Sequence, residues 1–338
     1  MASLQESVIC GLNMGCNSTY RTTIFGAGIG TTCDRNSMIG YFAGCSVSSY
    51  GNTIAGSRAG CNLTGVDKTV LVGNLAGASV GNSGVVMIGS YAGFLQSRDS
   101  TGIGAFSLCG GYSTSYSSVA IGVLSNPRRT SNSVSVGAPS AFGAYGSDGN
   151  VNLGWRAGDF VYCRNNTFVG ARAGYTGGNS NNTTQIGFNT YGGDNQNSCF
   201  VIGNYSSSNA YAYASWTSVS DLRDKKNIEN LPNNLGLNFI RKLRPVAFKY
   251  DYREKYMFKC GFEFGQKDGT LKEQKENYGF LAQQIENVTK ELNVNFDGVM
   301  YDKFNDKYQV KILELISPIV KSIQELNNEL DIIEKQIG

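Results

Sequence analysis

Side chains able to do chemistry are few in this 338-residue chain, and one absence is informative: there is no His at all. That removes Ser-His-Asp and Cys-His catalysis, HExxH zinc sites and any imidazole general base. Only 7 of the 26 carboxylates fall within residues 1–217. A glycoside hydrolase needs two set across a sugar, and no spacing marks a pair; Asp148, Asp159 and Asp194 are the carboxylates on which such an activity would depend. The nine Cys are odd in number and lack CxxC pairs. They argue against a disulfide framework or a zinc site, and for small buried or free thiols in a reducing compartment. No metal and no cofactor is expected. Arg58, Arg156 and Arg172 recur at one place in a repeat, in GSRAG, GWRAG and GARAG. They could line a glycan-binding stripe, but solvated side chains or pairing with a neighbouring chain's carbonyls is the simpler expectation. Trp155 and the tyrosines could stack on sugars, or fill coil ends. Near the middle of the chain stands SDLRDK, residues 220–225. Taken alone, Ser-Asp before basic residues is what a helix cap or a turn looks like.

The elements that must position these residues divide at about residue 218. Residues 1–217 hold 36 of the 43 Gly and 17 charged residues, whereas 218–338 hold 7 Gly and 38 charges. Such a contrast predicts two folding units. In the first, a short apolar segment ending in Gly recurs from SVICG to CFVIG, with the final glycines running from Gly11 to Gly203. There are 13 copies at a mean spacing of 16 residues. A β-branched residue two or three before the Gly suits an inward strand position, the Gly permits a close backbone approach, and Ser/Asn/Gly stretches supply turns. One unit cannot bury its own apolar face, so the copies must stack into a solenoid. With so few apolar residues per coil, several chains side by side are expected, as a homotrimer. At the other end Ile316, Ile319, Ile323, Leu326, Leu330, Ile333 and Ile337 alternate in steps of three and four. This is a heptad seam compatible with a trimer, with Pro318 near its start, where a helix tolerates it best.

The repeat resembles the head of trimeric autotransporter adhesins, where SVAIG-like units, here residues 118–122, build a left-handed β-roll. It is also similar to the shafts of phage and large-virus fibres, although its spacing wanders between 14 and 18 residues. Residues 216–338 resemble more closely the C-terminal intramolecular chaperone and self-cleaving peptidase domain of phage tailspikes and fibres, the endosialidase type. A relative of that domain sits in the membrane-bound myelin regulatory transcription factor. The resemblance rests on SDLRDK at 220–225, LGLNFIRKLRPVAFKY at 235–250, YGFLAQQIENV at 278–288 and KILELISPIVKSIQELNNEL at 311–330. It implies a Ser/Lys cleavage dyad in S-D-x-R-x-K, which falls on Ser220 and Lys225, with Asp221 and Arg223 as supporting residues or as an ion pair holding the loop. A Ser hydroxyl becomes a nucleophile when a base takes its proton, and a neutral Lys can do so once burial or a nearby cation lowers its pKa. Lys226 is a second candidate base off the pattern. Which bond beside Ser220 is cut is left open.

The expectation is therefore mainly β: a trimeric β-solenoid rod of about 16-residue repeats over residues 1–205, then a linker (206–217). A mixed α/β chaperone and autopeptidase domain (218–310) and a C-terminal coiled-coil helix (311–338) follow. The function expected is that of a viral fibre or appendage protein, made in the host cytoplasm and carried on the virion. Its chaperone domain drives homotrimerisation and then releases itself. A host receptor or glycan is a further partner left open. Alternatives are a cell-surface adhesin that retains its C-terminal domain, disfavoured by the lack of a visible signal or anchor, and a polysaccharide-degrading tailspike. A transcription regulator is disfavoured by a net charge of only +3 and the lack of a DNA-binding motif. Apolar stretches are short and broken, so neither membrane insertion nor a nucleic-acid partner is expected.

Overall fold

The fold was read from a computed structural model. It describes residues 8–337 except 13–14, 17–20, 29, 32–33, 49, 64, 66, 79–83, 95–96, 110–114, 126–129, 143, 145, 176–180, 191–196, 205–206, 208–209, 214, 257–266 and 303–305. The chain divides into two compact units, Met1–Ser207 and Ser208–Gly338.

The first unit is a parallel β-solenoid. A 13-stranded sheet runs from Val8–Leu12 to Phe200–Ile202, each strand hydrogen-bonded to the same segment of the next repeat. Register is repeat on repeat, as in Val70↔Val86, Leu71↔Met87 and Val72↔Ile88. Most strands are three residues long and alternate strictly, because successive side chains point to opposite faces. The residue two before the Gly points inward: Ile24, Met38, Ile54, Leu71, Met87 and Phe168 are all buried there. Each such burial contributes roughly 1.5–3 kcal/mol. The β-branched residue three before the Gly is instead on the outer face with the one directly before it, so only half of the inward expectation holds. From Thr53–Ala55 to Thr184–Ile186 these outward positions are Thr, Val, Ala, Ile or Leu and never charged. Ile88, Ile103, Ile121 and Ile186 are each more than a third exposed.

The repeated Gly is required by the coil spacing. Gly73 has φ +135°, and a Cβ on it would lie 2.4 Å from the carbonyl oxygen of Gly89 on the next coil. Four residues on, Gly77 has φ +60°, and a Cβ would lie 2.5 Å from Leu71 Cδ2 in the core. Between these two glycines lies a corner residue in the left-handed region whatever its type: Phe42, Arg58, Leu75, Tyr91, Arg156 and Arg172 have φ of 52–58°. Their amides bond the preceding coil, as in Arg58 N–H to the Tyr41 carbonyl (2.8 Å) and Arg172 N–H to the Trp155 carbonyl (2.7 Å).

Two features depart from the sequence reading. The residue four before the Gly, to which the sequence reading gave no role, forms a buried polar ladder. Asn52 Oδ1 accepts from Thr69 N–H (3.0 Å), Asn150 Oδ1 from Asn166 N–H (2.9 Å) and Asn166 Oδ1 from Thr183 N–H (2.7 Å). Each side chain thereby satisfies a backbone donor that would otherwise be stranded in the core. The second departure is a disulfide between Cys45 and Cys61, 16 residues apart with Cα atoms 4.8 Å apart. The expectation of free thiols throughout fails here, because a spacing of one coil stacks i on i+16. Cys10, Cys109, Cys163 and Cys199 are free.

The second unit has a small core of Leu235, Phe239, Ile285 and Leu315. Helix α1 (Leu237–Lys242) supplies Phe239 and α2 (Ala282–Glu291) supplies Ile285, while Leu315 comes from the 3₁₀ turn Ile312–Leu315 just before the third helix, α3 (Ile316–Ile337). Val246–Phe248 pairs antiparallel with Asn277–Gly279, and Val299–Asp302 with Lys307–Val310. α3 meets α1 through Glu325, whose Oε2 accepts from Leu237 N–H at 2.6 Å and whose Oε1 lies 3.1 Å from Lys321 Nζ. The Ile/Leu seam lies on another side. Ile316, Ile323, Leu330 and Ile337 are 52, 60, 57 and 81% exposed, so burial against the unit's own core does not account for the stripe.

Candidate active site

Residues Leu222–Asp224 form a single 3₁₀ turn. Asp221 caps it: its Oδ1 accepts from Arg223 N–H at 2.8 Å, and the same carboxylate takes the Arg223 guanidinium, with Nη2 to Oδ2 at 2.7 Å. This pair and the cap hydrogen bond hold the Asp221 carboxyl below the usual carboxylate range, and the pairing raises Arg223. Asp221 and Arg223 thus form an ion pair within the turn. At the far end of the turn Lys225 N–H donates to the Leu222 carbonyl at 3.1 Å. The turn thus folds the chain back on itself and brings Lys225 Nζ to 2.5 Å from Ser220 Oγ. Lys226 is exposed and makes no such contact among the described residues.

A hydroxyl in direct hydrogen bond with an amine can pass its proton there if the amine is neutral, and the oxygen can then attack a carbonyl carbon. In the single chain both Ser220 and Lys225 are exposed, and so are the apolar side chains around them. Trp216, Val219, Leu222 and Ile228 are 81, 90, 71 and 62% exposed.

The other candidates are scattered along the rod. Arg58, Arg156 and Arg172 occupy equivalent corners. Asp159 is fully buried, accepts from Phe142 N–H (2.8 Å) and pairs with Arg156 (2.9 Å). Burial pushes its carboxyl up, and those two partners offset part of the shift. Asp148 lies 3.7 Å from Arg164 Nε; Asp194 lies outside the described residues. Among the described residues no group of three His, Cys, Asp or Glu could hold a metal ion, and no helix is long and apolar enough to cross a membrane. The buried Asn ladder and the disulfide were missed; the one-coil spacing of Cys45 and Cys61 was the signal for the second.

Residues 220–293 match the family model described as the chaperone of endosialidase. The match begins at Ser220 itself, so the Ser220–Lys225 turn is the first structured feature of the chaperone segment. That family is a self-cleaving intramolecular chaperone and is found in phage tail proteins. A chaperone-of-endosialidase segment behind a β-solenoid fits a phage fibre or tailspike type of protein. No curated protein and no solved structure matches the chain.

Proposed function

We propose that this chain is a trimeric viral fibre carried on the virion, whose solenoid engages a host receptor and whose C-terminal domain registers three chains and then cuts itself off. The observation that carries the proposal is the 2.5 Å contact between Ser220 Oγ and Lys225 Nζ at the start of a chaperone-of-endosialidase match. Lys225 takes the Ser220 hydroxyl proton, and the Oγ attacks a neighbouring backbone carbonyl carbon. Attack on the carbonyl of Val219 closes a five-membered ring, whereas attack on Ser220's own carbonyl would close a strained four-membered one, so the Val219–Ser220 bond is the one cut. The C–N bond breaks as the proton passes to the departing Ser220 amine, leaving an ester that water hydrolyses to a Val219 carboxylate and a free hydroxyl.

A general-base lysine must be neutral, and a single chain leaves Lys225 in water. Burial and neighbouring cations favour the neutral amine. Both would be supplied by packing three copies over the exposed Trp216, Val219 and Leu222. Cleavage then follows assembly and reports it. Trimerisation is supported by two separate unpartnered faces: the uncharged outer face of the 13-stranded sheet and the Ile/Leu seam of α3. Cutting after assembly makes folding one-way, because the nucleating domain is gone and the rod persists by its unfolding barrier.

Wild type and Ser220→Ala, expressed alone and read by denaturing gel and intact mass, test this. Wild type should give two fragments, the smaller being Ser220–Gly338 (119 residues), and the variant one full-length chain. Full-length chains in both, folded and trimeric, would overturn the peptidase assignment and leave a retained cap.

A further inference from the structure

Two consecutive corners of the rod carry Arg156 and Arg172, joined by the hydrogen bond from Arg172 N–H to the Trp155 carbonyl. Both guanidinium groups lie over the same two rings. Arg156 is 5.6 Å from the Trp155 centroid and 4.8 Å from that of Tyr175; Arg172 is 5.5 and 4.9 Å from them. Two cations sharing one aromatic pair repel each other, yet only one is neutralised. Arg156 has the buried Asp159 at 2.9 Å. Arg172 has no ion pair among the described residues, and its Nε is buried without a hydrogen-bond partner. A buried donor left unpaired costs stability, which the ring contacts of the guanidinium can offset but not satisfy by hydrogen bonding.

We infer that Arg172, with Trp155 and Tyr175, forms a binding site for a carboxylate-bearing sugar. The inference rests on the receptor-binding reading of the rod and names the ligand class and the place. With Nε buried, the edge of the guanidinium left for a ligand is its two Nη groups, a planar fork of donors that can meet a carboxylate bidentately. Trp155, 48% exposed, offers a flat apolar face beside it, as the C–H face of a pyranose requires. A neutral sugar would offer the fork hydroxyl acceptors but no opposite charge, and a bare inorganic anion would leave the ring uncovered. The site spans the turns beyond Val151–Leu153, which carries Trp155, and beyond Thr167–Val169, which carries Arg172 and Tyr175, off the sheet face assigned to the chain–chain contact. A neighbouring chain has few acids to offer, with 7 carboxylates in residues 1–217, and the Asp159 of this coil is already engaged.

The test is retention of the assembled trimer, as purified after any self-cleavage, on a panel of immobilised glycans: nonulosonates and hexuronate oligosaccharides beside their neutral counterparts. Wild type should be retained by acidic members and at least tenfold less by their neutral counterparts. Arg172→Gln should lose at least tenfold of that retention while trimer content and melting temperature stay at wild-type values, and Trp155→Ala should weaken retention to a similar degree. Failure of every acidic glycan, equal retention of neutral ones, or loss of the trimer on Arg172→Gln would overturn the assignment; the last would mean that Arg172 pairs between chains. Normal trimerisation and cleavage alongside failed retention would leave the self-cleaving fibre standing without this site.

Discussion

At the scale of single residues, the turn at Leu222–Asp224 explains why S-D-x-R-x-K is spaced as it is. Asp221 both caps the turn and grips Arg223, and the one turn between them sets Ser220 against Lys225. Asp221→Ala should therefore slow cleavage by tenfold or more without touching either member of the dyad, whereas Lys226→Ala should leave its rate within twofold of wild type. Time courses of fragment appearance on denaturing gels decide both. A smaller effect at position 221 than at 226 would mean that the turn is held by something else. That Ser220 and Lys225 could meet was legible once the family resemblance singled them out, because the motif is short and local: five residues of separation are closed by one turn. Arg172's missing partner was not legible, because it depends on which coil stacks on which and on where Asp159 is buried. Neither is written in GARAG.

At the scale of elements, repeat spacing gave the solenoid away at once, since a unit recurring about every 16 residues can bury its apolar face only against the next copy. What the spacing could not reveal was the use of Ser, Asn and Thr. These residues read as turn formers by type, yet at one corner Asn52, Asn150 and Asn166 point inward and bond the next coil's amide. Burial, not composition, separates the two uses. In the second unit the seam of α3 was visible from its heptad steps, but its union with α1 was not, because that contact falls on another side of the helix, where Glu325 meets the Leu237 amide and Lys321 meets Asn233. Glu325 accepts the Leu237 amide and lies beside Lys321, and these partners hold its carboxyl below its ordinary value of 4.5. A depressed carboxyl contributes stability that is fully present above its unfolded pKa and lost as pH falls through the folded one. Acidification below about pH 4.5 should thus loosen α1 from α3, seen as faster amide exchange at Leu237 and Phe239. Glu325→Gln should flatten that pH dependence, and an unchanged acid response in the variant would assign it elsewhere.

At the scale of the whole molecule, two units with opposite habits share one chain. The rod is nearly free of charge and built from contacts between neighbouring coils, while the chaperone unit is charged and presents a helix with an exposed seam. Chains that must meet in register gain most from a seam that can pair before the long parallel contacts form, since loop closure and association precede any reward from those contacts. Leu326→Asp, in the middle of the seam, should abolish both trimers and cleavage products, read by light scattering and gel on the same sample. Monomers that still cut themselves would separate the peptidase from assembly. The corner positions carry a different consequence. Phe, Arg, Leu and Tyr all sit there with nearly the same left-handed φ, so the backbone holds its course regardless of what projects from it. Each corner thus fixes where a side chain leaves the rod without fixing which side chain it is, so the residue there answers chiefly to the partners it touches, as Arg156 answers to the buried Asp159.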